Sequence, residues 1–209
     1  MVRNFNNAVK EAAKRAATAV EYAMMKYSKG LVADEDDLTG VLVGQLDHAL
    51  DGQIYGLTWS TSIVRHRKGI AAEEKATGAD MVFHVRLKTR QHDYAKGVLI
   101  QAKKVEPRET MSKADHSRLI NQCRTMLNIT PASFVFDYAF GEMRCASASR
   151  ISGSKNRVLH EECDWTTYRF FLELFRCPIG DPRLTSAQVR ELPVPTVLEI
   201  SATDQDTIG

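Results

Sequence analysis

Three polar residues, Asp80, Gln101 and Lys103, fall in or beside two apolar stretches of the chain, residues 78–87 and 97–105. Both stretches have the composition of buried β-strands. Side chains alternate between the two faces of a strand, so Gln101 and Lys103 point to the same side. Carboxylate and amide oxygens can bind a hard metal ion, and an ammonium group can stabilise negative charge. This spacing therefore predicts a metal-dependent site on the two strands, since buried polar groups without such a purpose would cost stability.

These two strands must be held together and joined by other elements. The polar, turn-like segment 88–96 predicts a hairpin, which makes the strands antiparallel neighbours. A helix that opens with the acidic run 34–37 supplies a further carboxylate. Glu35 lies three residues before Leu38 and seven before Leu42, so it shares the apolar face of that helix. The alternative is that the acidic run only stabilises the helix N-terminus, with Asp34 as the cap.

The rest of the chain alternates between helical and extended patterns, which predicts an α/β (α+β) fold with a central mixed sheet flanked by helices. Gln122 lies among the apolar residues of one of these helices. Helices are predicted over residues 4–29, 113–128 and 164–175, the last capped by Asp164, and strands over 53–65, 133–140 and 143–149.

The pattern divides the chain into three parts. Residues 1–30 form an N-terminal helix, residues 31–177 form the core with its C-terminal helix, and residues 178–209 form a Pro-rich segment with a flexible tail. Residues 201–209 are polar and are expected to be disordered.

The net charge is only +2, but the basic residues are unevenly distributed. Between residues 60 and 124 there are 14 Lys and Arg against 7 Asp and Glu. A positive field around the central strands would attract phosphate backbones, although a solvated surface with uneven charge would give the same count. The candidate phosphate contacts are Arg65, Arg67, Lys68 and Lys104. His66 lies in the same basic cluster, which favours a surface residue over a general base. Glu74 is a candidate additional acid near the site.

Several classes of protein find no support in the sequence. The four cysteines have no metal-ligand spacing and indicate reduced thiols in a cytoplasmic protein. No apolar run is long enough to cross a bilayer, and no signal peptide is recognisable. Glycine-rich phosphate loops are absent, so nucleotide hydrolysis is not indicated.

The order helix, strand, strand, strand, helix, strand resembles the PD-(D/E)xK nuclease superfamily. The pieces of the motif are Glu35 on the first helix, Gly-Ala-Asp ending in Asp80, and Gln-Ala-Lys ending in Lys103. The sequence around Gln101, residues 96–104, is similar to that of Mrr-type restriction enzymes and related antiphage nucleases, in which Gln replaces Glu. Ala79 stands where the motif has proline. The resemblance covers residues 34–138, about half of the chain.

This resemblance implies a restriction-endonuclease-like core and a Mg²⁺- or Mn²⁺-dependent deoxyribonuclease, most simply an endonuclease in bacterial restriction or antiphage defence. It assigns metal binding to Asp80, Gln101, the carbonyl of Ala102 and Glu35, charge stabilisation to Lys103, and positioning of substrate or water to Gln122.

No sequence-reading module is recognisable, so a partner subunit or an activating signal is expected to choose the target. Homo-oligomerisation stays open. RNA is not excluded as substrate. The alternative function is an inactive nucleic-acid-binding or scaffold subunit, which the neutral Gln101 favours and the presence of Glu35, Asp80 and Lys103 opposes.

Overall fold

The computed structural model describes residues 2–65 and 76–204. Over these ranges the chain forms an eight-stranded mixed β-sheet with helices on both faces, which confirms the predicted α/β class. The helices are α1 (Val2–Ser28), α2 (Glu35–Ala49), α3 (Lys113–Ile129), α4 (Ala148–Gly153), α5 (Leu159–Glu162), α6 (Thr167–Arg176) and α7 (Ser186–Glu191). The strands are β1 (Gly52–Ile54), β2 (Leu57–Arg65), β3 (Met81–Lys88), β4 (Asp93–Lys104), β5 (Ser133–Ala139), β6 (Glu142–Ser147), β7 (Trp165–Thr166) and β8 (Thr196–Asp204).

The strand order in the sheet is β1-β2-β8-β3-β4-β5-β6-β7. As predicted, β3 and β4 form an antiparallel pair, with Met81 opposite Ile100. β4 and β5 are parallel because α3 crosses over between them, and β8 runs parallel to β3. These central strands are covered on both faces, which explains why their sequences are nearly continuous apolar runs.

Two hydrophobic cores lie on the two faces of the sheet. One face is covered by α1, α2 and α6, and the alanines of α1 allow this long helix to pack closely. The other face is covered mainly by α3 and α4, with Val82, Leu99 and Val135 pointing into it. Gln101 follows Leu99 by two residues, and Lys103 follows Gln101 by two, so both belong to the α3 side of β4.

The expectation of a disordered tail is wrong for residues 201–204. β8 is inserted in the sheet, where it pairs with β2 on one side and β3 on the other. Its Val197, Leu198, Ile200 and Ala202 are buried, so the strand contributes to both cores. Residues 205–209 lie outside the described part, and the division of the chain into three domains stays a prediction.

The predicted cap of the aromatic helix is also wrong. Trp165–Thr166 pair with β6, so helix α6 begins only at Thr167. The Thr166 side chain accepts a hydrogen bond from the Arg169 N–H and forms the cap. Asp164 instead forms an ion pair with Arg150, at 3.1 Å.

None of the helices in the described ranges is both long and apolar enough to cross a bilayer. All four cysteines are free thiols, of which Cys123, Cys145 and Cys163 are buried and Cys177 is exposed.

Candidate active site at one end of the sheet

Asp80 lies immediately before β3, at the end of the sheet where β4 finishes. Its N–H donates a hydrogen bond to the carbonyl of Ile100 at 2.9 Å, which fixes the backbone beside β4. Gly78, two residues earlier, has a φ of +72°. A Cβ atom there would lie 2.4 Å from the carbonyl oxygen of Gln122, so helix α3 touches the backbone that leads to Asp80. Glycine is therefore required for this close approach.

The Asp80 carboxylate meets the Gln101–Ala102 segment of β4. Its Oδ2 accepts hydrogen bonds from Gln101 Nε2 at 2.5 Å and from the Ala102 N–H at 2.7 Å. Gln101 Nε2 also donates to the carbonyl oxygen of Ala102, at 2.9 Å. The Gln101 side chain is completely buried, and its Oε1 has no hydrogen-bond donor among the described residues. The Gln101 amide nitrogen thus links the Asp80 carboxylate to the Ala102 carbonyl at the end of the β3–β4 pair.

Lys103 and Glu35 form an ion pair beside this group. The distance from Lys103 Nζ to Glu35 Oε1 is 3.0 Å, and the side chains are 18% and 31% exposed. Glu35 Oε2 also accepts a hydrogen bond from the Lys104 N–H at 2.8 Å. The carboxylate therefore joins the start of α2 to the end of β4 while solvent still reaches the pair.

The alternative explanation for the acidic run is helix capping, and the structure separates the two roles. Asp34 does occupy the N-cap position of α2, but its side chain makes no capping hydrogen bond. Glu35 is the first residue of the helix, and its carboxylate is directed to β4. The leucine spacing predicts that Glu35 faces the sheet, and these contacts agree with that prediction.

A buried tyrosine close to these carboxylates was not anticipated from the sequence. Tyr138 on β5 shares a hydrogen bond of 3.2 Å with the Thr39 hydroxyl of α2. Burial raises the pKa of Tyr138, and the negative charges of Asp80 and Glu35 raise it further, so the phenol stays protonated. The only signal in the sequence was a hydroxyl-bearing residue within an apolar strand.

Helix α3 covers the site from the other side. Gln122 is partly buried on α3, at the turn that touches Gly78. Burial raises the pKa of the adjacent Cys123 thiol, and the Lys103 ammonium opposes that rise. The helix turn carrying Gln122 is therefore brought to the site, and the role of the Gln122 side chain stays a prediction.

Two of the four predicted phosphate contacts, Arg65 and Lys104, lie in the described ranges. Arg65 is exposed at the end of β2, with its guanidinium close to Gly40 of α2. Lys104 is exposed and donates from Nζ to the carbonyl of Ala33 at 2.7 Å. Arg67 and Lys68, together with His66 and Glu74, lie outside the described residues.

A second cluster of charged groups, which the sequence analysis missed, lies one strand away. Asp137 on β5 is in register with Lys103 and is completely buried. Its Oδ2 is 2.9 Å from His160 Nδ1, and His160 Nε2 is 3.1 Å from Glu142 Oε1. Burial raises the pKa of Asp137 to about 6, against a lowering by His160. The signal was an acid in the middle of the apolar run Ser133–Ala139.

No family model matches this chain, and a search of curated proteins found no match. The interpretation therefore depends on the geometry of the site. In the described ranges no group of three or more His, Cys, Asp or Glu side chains could hold a metal ion. The group at Asp80 is of another kind, since it combines carboxylates with amide and carbonyl oxygens.

Proposed function

We propose that this protein is a metal-dependent nuclease with a PD-(D/E)xK-type site. The observation that carries the proposal is the convergence of Asp80, Gln101, Ala102, Lys103 and Glu35 at one end of the sheet. These residues come from the start of α2, the entry to β3 and the end of β4. Clustering carboxylates, an amide and an ammonium in a partly buried place costs desolvation, which binding of a ligand would help to offset.

The topology supports a restriction-endonuclease-like core but contains one departure. The order α2, β1, β2, β3, β4, α3, β5 follows the expected succession of helix, three strands, helix and strand if the short β1–β2 hairpin is counted in place of the first strand. The antiparallel β3–β4 pair and the parallel β4–β5 pair bring Asp80, Gln101 and Lys103 to one end of the sheet. However, β8 separates β2 from β3, so the first three strands do not form a simple meander.

The residues present fit a hard divalent cation. Mg²⁺ and Mn²⁺ prefer oxygen ligands. Asp80, Glu35 and the Ala102 carbonyl offer oxygens, and Gln101 offers its amide oxygen, while its amide nitrogen donates to Asp80 Oδ2. Gln101 Oε1 is a buried acceptor that meets no donor in the described part of the chain, which is the kind of atom that a cation would satisfy. When bound, the ion supplies neutralisation of phosphate charge and a more acidic water.

The side chains of this protein then have separate tasks. Lys103 carries its ammonium to the edge of the site, where it orients the attacking water or stabilises the negative charge that develops on the phosphate. Glu35 holds that ammonium in place at 3.0 Å. Helix α3 closes one side of the site, and Gln122 positions substrate or water from there.

DNA is the proposed substrate because of the basic surplus around the central strands, and RNA would meet the same charges. The proposed setting is a cytoplasmic restriction or antiphage effector controlled by a partner subunit or an activating signal.

A second function is favoured by one observation. Gln101 stands where the motif has an acid, and its amide nitrogen donates to Asp80 Oδ2, so the two groups already satisfy each other in part. A protein that kept the fold and lost the chemistry would have this property. Such a protein would bind nucleic acid as an inactive subunit or scaffold.

Cleavage of plasmid and linear DNA with Mg²⁺ or Mn²⁺ tests the proposal, with Lys103→Ala as the key variant. Loss of one charge-stabilising group is expected to lower the rate by ~100-fold or more. Lys88→Ala is the matched control, because Lys88 is an exposed lysine at the opposite end of β3. A chelator should abolish cleavage by the wild-type protein.

The outcomes separate the two functions. Chelator-sensitive cleavage that persists in Lys88→Ala and disappears in Lys103→Ala supports the enzyme. Salt-sensitive DNA binding without cleavage, unchanged in Lys103→Ala, supports the binding subunit. Cleavage that is equal in Lys103→Ala and wild type would contradict the assigned site.

A further inference from the structure

Phe140 is a large apolar side chain in an unexpected place. It lies in the tight turn between β5 and β6, followed by Gly141 with a φ of +81°, and it is 57% exposed. Hairpin turns favour small polar residues, and an exposed aromatic ring there contributes little to a hydrophobic core. More than half of Phe140 is therefore available for a contact with another molecule.

The ring is held in a fixed orientation. Phe140 stacks on Tyr27 of α1 with ring centroids 4.6 Å apart and an angle of 15° between the rings. Glu106 secures both partners, since its Oε1 accepts from the Tyr27 hydroxyl at 2.7 Å and its Oε2 from the Phe140 N–H at 3.2 Å. Tyr27 stacks on one face of the Phe140 ring, and the residue as a whole remains 57% exposed.

These two rings are continuous with the candidate active site. Lys104 Nζ lies 5.4 Å from the centre of the Tyr27 ring, a cation–π distance. The N–H of the same lysine donates to Glu35 Oε2. Phe140 also follows Tyr138, which is paired with Lys104 across β4 and β5, by two residues. A cation thus lies between the aromatic pair and the carboxylates.

We propose that Phe140 and Tyr27 form a stacking platform for an unpaired nucleobase next to the cleaved phosphate. This inference rests on the proposed nuclease function and specifies its substrate: a single strand, or a duplex with an unpaired end. An aromatic ring with one open face can accept the face of any base, independently of sequence. Bases inside a duplex are already stacked on both faces, so they must first be unpaired or flipped out. Lys104 supplies the charge that the adjoining phosphate requires.

The chain contains a matched control for this residue. Tyr55 occupies the turn between β1 and β2, is followed by Gly56 with a φ of +83°, and is 56% exposed. Strand pairing places this turn at the opposite end of the sheet, where β8 and β3 finish. Within the described ranges no other ring stacks on Tyr55. Tyr55 thus matches Phe140 in exposure and turn position but not in its surroundings.

Binding of a labelled single-stranded oligonucleotide in EDTA, followed by fluorescence anisotropy, tests the platform without any cleavage. We expect Phe140→Ala to weaken binding about tenfold, equivalent to about 1.4 kcal/mol. Phe140→Trp should retain wild-type affinity, because the indole also stacks. Phe140→Leu should remain weak, since it keeps apolar area but has no aromatic face. Tyr55→Ala and the affinity for a blunt duplex should not change.

Other results would overturn the platform. Wild-type affinity in Phe140→Ala or in Phe140→Leu would exclude base stacking, and an equal loss on blunt duplex would indicate a general electrostatic or folding effect. A mass in solution that falls in Phe140→Ala would assign the ring to contacts between copies of the chain.

Two further outcomes separate the platform from the nuclease function. Single-strand binding that depends on Phe140 without cleavage by the wild type would reject the nuclease and keep the platform. Cleavage without any dependence on Phe140 would do the reverse.

Discussion

Asp80 and Asp137 are both carboxylates on the α3 side of the sheet, yet their surroundings differ. Asp80 receives two N–H donors on one oxygen, and its neighbours Lys103 and Glu35 remain partly exposed. Asp137 is sealed, with His160 on Oδ2 and no hydrogen-bond partner for Oδ1 among the described residues. An acid in an apolar strand therefore predicts a polar cluster but not its use. The position at a strand end and the access of solvent distinguish a site for a ligand from an internal network.

The largest expected difference is in activity, when the same substitution is made in both clusters. Asp80→Asn keeps an oxygen that can accept the two hydrogen bonds, so the fold should survive, but the loss of charge should lower cleavage ~100-fold or more. Asp137→Asn should leave cleavage at neutral pH close to that of the wild type. Initial rates of DNA cleavage, with circular dichroism of each variant, measure this. A folded Asp137→Asn protein as inactive as Asp80→Asn would place Asp137 in the active site.

A second difference concerns the dependence of stability on pH. Burial raises the pKa of Asp137 from an ordinary value near 3.8 to about 6, so the folded protein holds this proton more tightly than the unfolded chain. The contribution of Asp137 to the free energy of unfolding is therefore complete below pH 4 and is lost as pH rises to about 6. A shift of this size corresponds to about 3 kcal/mol.

Urea denaturation of the wild type and of Asp137→Asn, from pH 4 to pH 7, checks this value. Subtracting the free energy of unfolding of Asp137→Asn from that of the wild type at each pH removes the contributions of the other titrating groups. This difference should fall by about 3 kcal/mol as pH rises. A difference that does not change with pH would contradict the raised pKa of Asp137.

The smallest effect sharpens the role of Gln101. Gln101→Glu places a second negative charge beside Asp80, which should lower the stability of the metal-free protein by on the order of 1 kcal/mol. Added Mg²⁺ should then raise the melting temperature more than in the wild type, because binding to the folded state stabilises it. Gln91→Glu adds the same charge in the exposed β3–β4 turn and serves as control. Equal responses of both variants to Mg²⁺ would argue against a cation between Asp80 and Gln101.

The sequence was sufficient for those parts of the fold that local patterns determine. The spacing of Leu38 and Leu42 correctly predicted helix α2 and the direction of Glu35 toward the sheet. The short polar segment 88–96 correctly predicted the antiparallel β3–β4 pair. The juxtaposition of Asp80, Gln101 and Lys103 followed from these two results. Their proposed catalytic roles stay predictions.

Contacts between distant segments were not accessible in the same way. β8 has polar residues such as Glu199 and Ser201 between its apolar ones and follows a Pro-rich segment, so its composition resembled a tail. Its place in the sheet depends on pairing with strands more than 100 residues earlier in the chain. The contact between Asp137 and His160 likewise joins elements that no local pattern relates.

The position of β8 also determines when the sheet can be completed during synthesis. In the described sheet, the β1–β2 hairpin is joined to the remaining strands only through β8, which the ribosome makes after all of them. A nascent chain that already contains Asp80 and Lys103 cannot yet dock its first hairpin, because the strand that lies between β2 and β3 has not been made. Closure of the sheet is a late, long-range event of the kind that slows folding. The growing polypeptide therefore passes most of its synthesis with the sheet incomplete, and the sheet can close only after residues 196–204 emerge.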